Sequence, residues 1–523
     1  MHITLTRRRL QLWAAMMLVF IQAGLTPSRA LAQDTEETFP KEVDDYVAAT
    51  VRTWEIPGIA IAIVKEGKLI VARGYGVREL GKPEQVDQNT IFDAASLSKS
   101  FTAAAIASLV NENKMTWDAP VKRYLPSIEF PDPYLTANVT IRDLLTHRTG
   151  IHATNGALFF SGANRSQLLG LIKNMRIVAP FRTQFIYSNM GYTVAGEAAA
   201  VAAGTTWEDL ITKRFLVPLE MKRTSAIFNS APSTGNIASG HALINGVQRV
   251  TLREGVQRDV TAPAGAVQSS AADLANWMIF QLGDGTFQGK RILSPEVMTE
   301  MHSIQIIIPG GQAFRTARQI KYFGGYGLGW QVMDYRGNRI FWHSGAGDGQ
   351  FAYMVLLPDS RLGVAVLINS WKAGANLNGA IASRIIDYYL GLPTRDYGAE
   401  YRESWTRSIQ QQNAAVRQFE ASQIRNTKPT LPLTEYAGVF RDQLGLELKI
   451  WLEGDHLRLQ YGGGEIAEVT HWHYDTFLVR WLNPLHAEQR STLAQFVMSP
   501  QGRVAEVQME FFGDRLVARR QTP

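Results

Sequence analysis

Apolar runs of strand length stand in two groups at opposite ends of the first 370 residues of this chain, and helical stretches dominate the ground between them. Ile59–Val64 and Leu69–Ala72, joined by Lys65-Glu-Gly-Lys68 after the break at Pro57-Gly58, read as a hairpin of an antiparallel sheet. Strand-like runs return with Gly329–Val332, Ile340–Trp342, Ala352–Leu357 and Leu362–Ile368. Between the groups, Ser96–Asn111, Gly191–Ala203 and Ala271–Leu282 repeat apolar residues at roughly helical spacing, and Val43–Trp54 ahead of the hairpin is helix-like too. Both elements in one region place the chain in the α/β class.

A chain of 523 residues exceeds what one core usually supports, so two or more domains are expected. The composition shifts to polar and charged from Asp396 to about Lys428, where Arg402–Asn413 suggests a solvated helix used as a linker, taken as residues 396–430. From Leu431 to the end at residue 523 the pattern is one of short strands separated by turns: Tyr436–Phe440, Leu446–Leu452, His456–Tyr461, Thr476–Trp481, Leu493–Met498 and Val504–Phe512. Strands so closely spaced indicate a small antiparallel barrel.

The N-terminus has the features of an export signal: Arg7-Arg-Arg9, an apolar run from Leu12 to Ile21, and Ala30-Leu31-Ala32 as a small-x-small cleavage site. Cleavage would leave residues 33–395 as the first domain, in a periplasmic or secreted bacterial protein. The apolar run falls short of the ~20 residues that span a bilayer, and no later segment is long and apolar enough, so no stable membrane span is expected after cleavage. Residues 1–32 hold four arginines and no acidic residue, so the formal charge of +6 falls to +2 without them, and there is no nucleic-acid signature. Cysteine is absent, which excludes a thiol nucleophile, a disulfide framework and Cys-based zinc.

Ser96-Leu97-Ser98-Lys99 opens the apolar helix. Residues three apart share a helix face, so Lys99 can reach the Ser96 hydroxyl. A helix start also leaves backbone N–H groups unpaired, and one at Ser96 could stabilise a developing oxyanion. A capped, solvated helix end has the same spacing, so the pair acquires meaning only with its companions. Tyr187-Ser188-Asn189 follows 91 residues after Ser96, and His343-Ser344-Gly345 follows 156 residues after Tyr187, at the end of the strand-like run Asn338–Trp342.

With these three elements in this order the chain resembles the serine β-lactamase and penicillin-binding-protein superfamily, and within it the class C β-lactamase-related hydrolases. Thr140–Gly150, Asp118–Leu125 and Tyr326–Trp330 extend the resemblance over roughly residues 40 to 395. It implies a β-lactamase-like sandwich, an antiparallel sheet made from both ends of the domain with a helical region inserted, and an active-site cleft between the two parts. The C-terminal strands are similar to the lipocalin-like domain attached to some of these hydrolases. By the same resemblance, Ser96 is the nucleophile and Lys99 or Tyr187 its base, with the division between the two left open. Asn189 would bind the substrate amide and the lysine, Gly345 would admit a substrate backbone to the strand edge, and the Ala346 N–H would be the second oxyanion donor. His343 departs from the lysine of β-lactamases. Imidazole is largely neutral near pH 7, which weakens an anchor for a substrate carboxylate.

These residues lead us to expect an exported serine hydrolase cleaving peptide-like amide bonds through an acyl-serine intermediate, without metal or cofactor. The resemblance allows linear oligopeptides with D- or unusual residues, such as linearised microcystin. An esterase is the alternative within the class, and a penicillin-binding sensor or inactive binding protein the alternative outside it. Self-association is left open. His471-Trp-His473 could present two metal ligands on a strand, with no third evident. His147 reads as a buried or capping histidine, and Ile306–Gly311 as an apolar loop near the cleft or a strand end.

Overall fold

The computed structural model describes residues 39–153, 161–228, 235–244, 247–251, 258–308, 324–371, 374–464, 466–483, 492–511 and 514–521. The proposed signal segment 1–32 and the Pro309–Gly311 end of the apolar loop lie outside these residues.

Strands from both groups form one eight-stranded antiparallel sheet. In chain order they are β1 (Gly58–Lys65), β2 (Lys68–Gly76), β3 (Ile306–Ile307), β4 (Gly324–Tyr326), β5 (Gln331–Tyr335), β6 (Asn338–Gly347), β7 (Gln350–Leu357) and β8 (Leu362–Ile368). Across the sheet the order is β2-β1-β8-β7-β6-β5-β4-β3, so the N-terminal hairpin docks onto the last strand, with Ile59 opposite Ile368 and Lys65 opposite Leu362. β1 and β8 are buried along nearly their whole length, which explains their unbroken apolar sequences: a strand covered on both faces has no reason to alternate. Ala60, Ala62 and Val64 belong to the large core shared with the helical region, while the alternating Ile59, Ile61 and Ile63 are equally buried on the other face. Ile306–Ile307 is a short edge strand paired with β4.

The inserted region carries α2 (Ser98–Asn111), α3 (Asn189–Ala203) and α4 (Ala271–Leu282); α1 (Lys41–Thr53) precedes the sheet and α5 (Gly374–Tyr389) follows it. α2 is buried around nearly its whole circumference, so apart from Lys99 and the terminal Asn111 its sequence is apolar or small rather than amphipathic. Phe101 of α2 stacks on Trp277 of α4, with ring centroids 3.8 Å apart and both rings fully buried, and this contact fixes α2 against the helix that lines the sheet.

The polar stretch after Asp396 is a helix, α6 (Tyr397–Ala421). Its first turn is tied to the sheet domain: the Gly398 N–H donates to the Tyr46 hydroxyl (2.7 Å), and the Gly398 carbonyl accepts from the Trp54 indole (3.2 Å). Near its other end Phe419 stacks on Trp472. Eight strands then close an up-and-down barrel: β9 (Gly438–Asp442), β10 (Glu447–Glu453), β11 (His456–Tyr461), β12 (Ile466–His473), β13 (Thr476–Trp481), β14 (Thr492–Met498), β15 (Val504–Phe511) and β16 (Asp514–Arg520). The sequence suggests a strand at only His471–His473 of β12 and none at β16. Their inward residues Ala467, Val469, Leu516 and Ala518 are buried and alternate with mostly polar outward positions such as Glu468, Thr470, Arg515 and Arg519, so neither segment is a continuous apolar run. The β12 histidines are used locally: His471 Nε2 lies 3.0 Å from the Tyr474 carbonyl oxygen, and His473 Nδ1 accepts the Ile424 N–H at 3.3 Å. Among the described residues no cluster of three or more His, Asp or Glu is placed to hold a metal ion, and no helix is long and apolar enough to cross a membrane.

Replacing Trp277 with Ala removes the partner of Phe101 from a fully buried site and should cost about 3–5 kcal/mol. Chemical denaturation checks this; a loss below about 1 kcal/mol would show that the stack does not anchor α2.

Candidate active site

Ser96 sits in a 3₁₀ turn, Ala95–Leu97, and the α-helix proper begins at Ser98. The turn is held in a conformation that an alanine rarely adopts: Ala95 has φ +44°. A left-handed alanine costs on the order of 1–3 kcal/mol, and the surroundings hold it in place. The Ala95 N–H donates to Asp93 Oδ1 (2.8 Å), and Arg258 clamps the other carboxylate oxygen at 2.5 Å. The Ser98 hydroxyl donates to the Ala95 carbonyl (2.6 Å) and accepts the Val267 N–H (2.9 Å). As a result Ser96 is partly exposed while Lys99, one turn on, is fully buried.

The Lys99 amine has three neighbours: Asn189 Oδ1 at 2.8 Å, the Ala264 carbonyl oxygen at 2.8 Å and Ser96 Oγ at 3.0 Å. Burial holds its pKa well below the ordinary lysine range, and no carboxylate contributes an opposing effect. A neutral amine has two N–H groups and one lone pair. The two carbonyl oxygens can only accept, so they take the two N–H groups, and the lone pair is left for the one neighbour that can donate, the Ser96 hydroxyl. Tyr187 and Tyr192 cover the amine, with ring centroids 4.7 Å and 5.5 Å away.

Asn189 is the first residue of α3, and Ser188 caps that helix by accepting the Gly191 N–H. The Tyr187 hydroxyl is hydrogen-bonded to the Ser96 side chain, and burial raises its pKa above the ordinary phenol range, so this group stays protonated. Beneath it lies His147, 1% exposed, with its ring 4.5 Å from that of Tyr187. His147 Nδ1 accepts the Ser188 N–H (3.0 Å), and its carbonyl accepts the Ile186 N–H (2.7 Å). Burial, with Lys99 and His343 nearby, lowers its pKa well below that of a free imidazole. The segment carrying His147 is locked in turn: buried Asp143 closes a capping box with Thr140 and pairs with Arg148 (2.6 Å) and Arg182 (2.8 Å).

His343 does not present a ring to the cleft. It is 2% exposed; Nδ1–H donates to the Ser344 carbonyl (2.7 Å), which leaves Nε2 to accept from the Tyr326 hydroxyl (3.0 Å). Burial and the proximity of Lys99 push its pKa down to about 3, so the imidazole is neutral. Gly345 serves a close approach within the protein itself. A Cβ there would stand 2.1 Å from the Ala94 carbonyl oxygen, so the glycine lets β6 pack against the protein's own Ala94–Ala95 turn. Strand β5 pairs with β6 only as far as Trp342, which leaves His343–Gly347 unpaired on that side, and Ala346 is exposed within this stretch. Ser96, Lys99, Tyr187 and Asn189 thus meet directly; His343 is bonded to Tyr326, and Gly345 and Ala346 lie on the same strand as His343.

Sequence reasoning missed Ala264, whose contribution is a backbone carbonyl, and the Asp93–Arg258 clamp, whose partners lie far apart in the chain. Tyr326 and Gly329 lay within a motif already noted. A Cβ on Gly329 would stand 2.8 Å from the Lys99 carbonyl oxygen, which explains the glycine at that position.

A family model described as Beta-lactamase matches residues 43–384, and one described as "Domain of unknown function (DUF3471)" matches residues 422–520. An unguisins hydrolase of Aspergillus violaceofuscus is 28% identical over 444 residues, covering 78% of this chain and 76% of the relative. Penicillin-binding protein 4 of Amycolatopsis lactamdurans is 26% identical over 324 residues, 61% of this chain and 82% of the relative. Among solved structures, an octameric penicillin-binding protein homologue from Pyrococcus abyssi superposes with a TM-score of 0.59 at 23% identity, covering 91% of this chain and 99% of that one.

His147→Ala should leave the Ser188 N–H without its acceptor, at a cost of about 1–3 kcal/mol. It should also slow labelling of Ser96 by a fluorophosphonate on the order of tenfold to a hundredfold, through misplacement of Tyr187. Unchanged labelling in the folded variant would show that His147 serves packing alone.

Proposed function

Because this chain belongs to the beta-lactamase family, we propose that it is a serine hydrolase that cleaves peptide-like amide bonds through an acyl-serine intermediate on Ser96. The observation that carries the reading is the buried Lys99 amine with its two N–H groups engaged by carbonyls and its lone pair left for the Ser96 hydroxyl.

Ser96 Oγ bonds to the substrate carbonyl carbon as its proton passes to Lys99 Nζ. The carbonyl oxygen becomes an oxyanion, stabilised by the backbone N–H groups of Ser96 and Ala346. The C–N bond then breaks and the departing nitrogen takes a proton from the Tyr187 hydroxyl, which the Lys99 ammonium restores. In the second half, water loses its proton to neutral Lys99 as it attacks the acyl carbon, and Ser96 leaves with that proton. The opposite pKa shifts support this division: burial disfavours the ammonium of Lys99 and disfavours the phenolate of Tyr187, so the lysine is the base and the tyrosine the acid. Asn189 orients Lys99 and, through its amide, a substrate carbonyl or N–H.

The neutral, internally bonded His343 bears on substrate choice. With no cation at this position, a carboxylate next to the scissile bond gains no ion pair there. We therefore favour amides within linear oligopeptides, including those with D- or unusual residues, over the C-terminal dipeptides bound by enzymes with lysine at that place. The relative named as an unguisins hydrolase supports hydrolysis as the activity class. Esters fit the same steps and the same lack of a cation, and are the second reading. We further propose that cleavage after Ala32 delivers the mature chain outside the cytoplasm, on the strength of the Arg7–Arg9, Leu12–Ile21 and Ala30–Ala32 pattern.

Purified protein and its Ser96→Ala variant, given linear peptides, D-amino-acid amides, short-chain esters and a chromogenic β-lactam, test the reading by mass spectrometry. Peptide or amide cleavage lost at least about 10³-fold in the variant is expected. It should fall as pH drops, because protonation of Lys99 removes the base. Turnover of esters alone would transfer the assignment to the esterase, and Ser96 acylation without release would make this a penicillin-binding sensor.

A further inference from the structure

Away from Ser96, a cleft of about 490 Å³ opens between the sheet domain and the barrel, and four of its lining residues are arginines. Arg176 and His152 come from the sheet domain; Arg441, Arg515 and Arg519 come from the barrel. None of Ser96, Lys99, Tyr187, Asn189 or His343 lines it. Asn174 joins the two walls, donating to the Leu444 carbonyl at 3.0 Å.

The strand register shows that this charge is placed on one face. Arg441 of β9 lies directly opposite Arg519 of β16 in the ladder that closes the barrel. Arg515 and Arg519 are four residues apart on β16 and so point the same way, while the intervening Leu516 and Ala518 are buried inside the barrel. Like charges directly opposite each other on neighbouring strands are destabilising, so packing gives no reason for this pair. Local acids do little to neutralise it. Among the described residues Arg176 and Arg515 have no ion-pair partner; Arg515 donates to the Gln508 amide oxygen at 2.9 Å. Arg441 and Arg519 each reach one glutamate, Glu447 and the half-buried Glu506, at 3.4 Å, and both arginines are solvent-exposed. Asp442, the only acid among the described residues lining the cleft, is engaged elsewhere: its carboxylate accepts from the Tyr461 hydroxyl (2.5 Å) and from the N–H groups of Leu444 (2.9 Å) and Leu446 (2.8 Å).

We propose that this cleft is a binding site for a small ligand carrying two or more carboxylate or phosphate groups. Guanidinium groups match the planar, two-oxygen geometry of both anions, and four of them on two walls suit a ligand with more than one such group. The volume lies in the range of small-molecule sites. The ligand relieves the Arg441–Arg519 repulsion and ties barrel to sheet domain, which gives the C-terminal domain a binding role of its own.

Isothermal titration of the purified protein with sodium citrate and with sodium pyrophosphate, at ionic strength matched by sodium chloride, tests this. The expected result is saturable binding of at least one of the two, unchanged in Ser96→Ala. The dissociation constant should rise at least tenfold in Arg441→Gln/Arg519→Gln and, on the opposite wall, in Arg176→Gln. Citrate binding alone identifies carboxylates as the ligand groups and pyrophosphate binding alone identifies phosphates. The proposal is overturned if neither anion binds above the chloride control, or if binding persists undiminished in both arginine variants.

Discussion

A lysine amine buried without a carboxylate is the constraint around which the rest of the site is arranged. An ammonium in that position would lie in a poorly solvated pocket beneath two tyrosine rings, with only uncharged oxygens around it. The protein avoids that cost by favouring the neutral amine, and the neutral amine is the form that can accept a proton from Ser96. The same burial raises the Tyr187 phenol, which keeps its proton, and lowers the imidazoles of His147 and His343 as it lowers Lys99, so that they stay uncharged. One dry cluster therefore sets four protonation states. A charged lysine or arginine in place of His343 would add a cation close to Lys99, whose effect on a neutral imidazole is already visible as a lowered pKa.

The fold supplies this cluster from five separated parts of the chain. Ser96 and Lys99 come from the start of α2, Tyr187 and Asn189 from the entry to α3, Ala264 from a short helix before α4, His147 from the end of the Thr140–Gly150 segment, and His343 from β6. What brings them together is close backbone packing. Gly345 allows β6 to touch the Ala94–Ala95 turn, Gly329 allows the Tyr326–Trp330 segment to touch α2, and the Asp93–Arg258 pair holds Ala95 in its left-handed conformation. Precision at Ser96 thus depends on backbone packing and an ion pair around its turn.

Much of this was legible in the sequence, and what was not has physical reasons. The runs Ile59–Val64 and Leu362–Ile368 announced buried strands because both faces are covered, and their pairing across some three hundred residues came from resemblance, since period and composition carry no record of partners. The spacing of Ser96 and Lys99 held, with the α-helix starting two residues later than read. Strands β12 and β16 were hidden by barrel geometry, which puts only alternate residues inside. Gly345 is legible as a point of close approach, but its packing against the Ala94 carbonyl is not, because sequence cannot say which backbone arrives there. The Ala264 carbonyl and the orienting role of His147 leave no signal in residue type at all.

The protonation state of Lys99 can be observed directly. In protein labelled with ¹⁵N at lysine side chains, the Lys99 Nζ resonance, assigned by its absence in Lys99→Arg, should titrate well below the range near 10.4 expected of ordinary lysines. Titration of Lys99 together with the surface lysines would contradict the account, because a permanently charged ammonium has no lone pair with which to take the Ser96 proton.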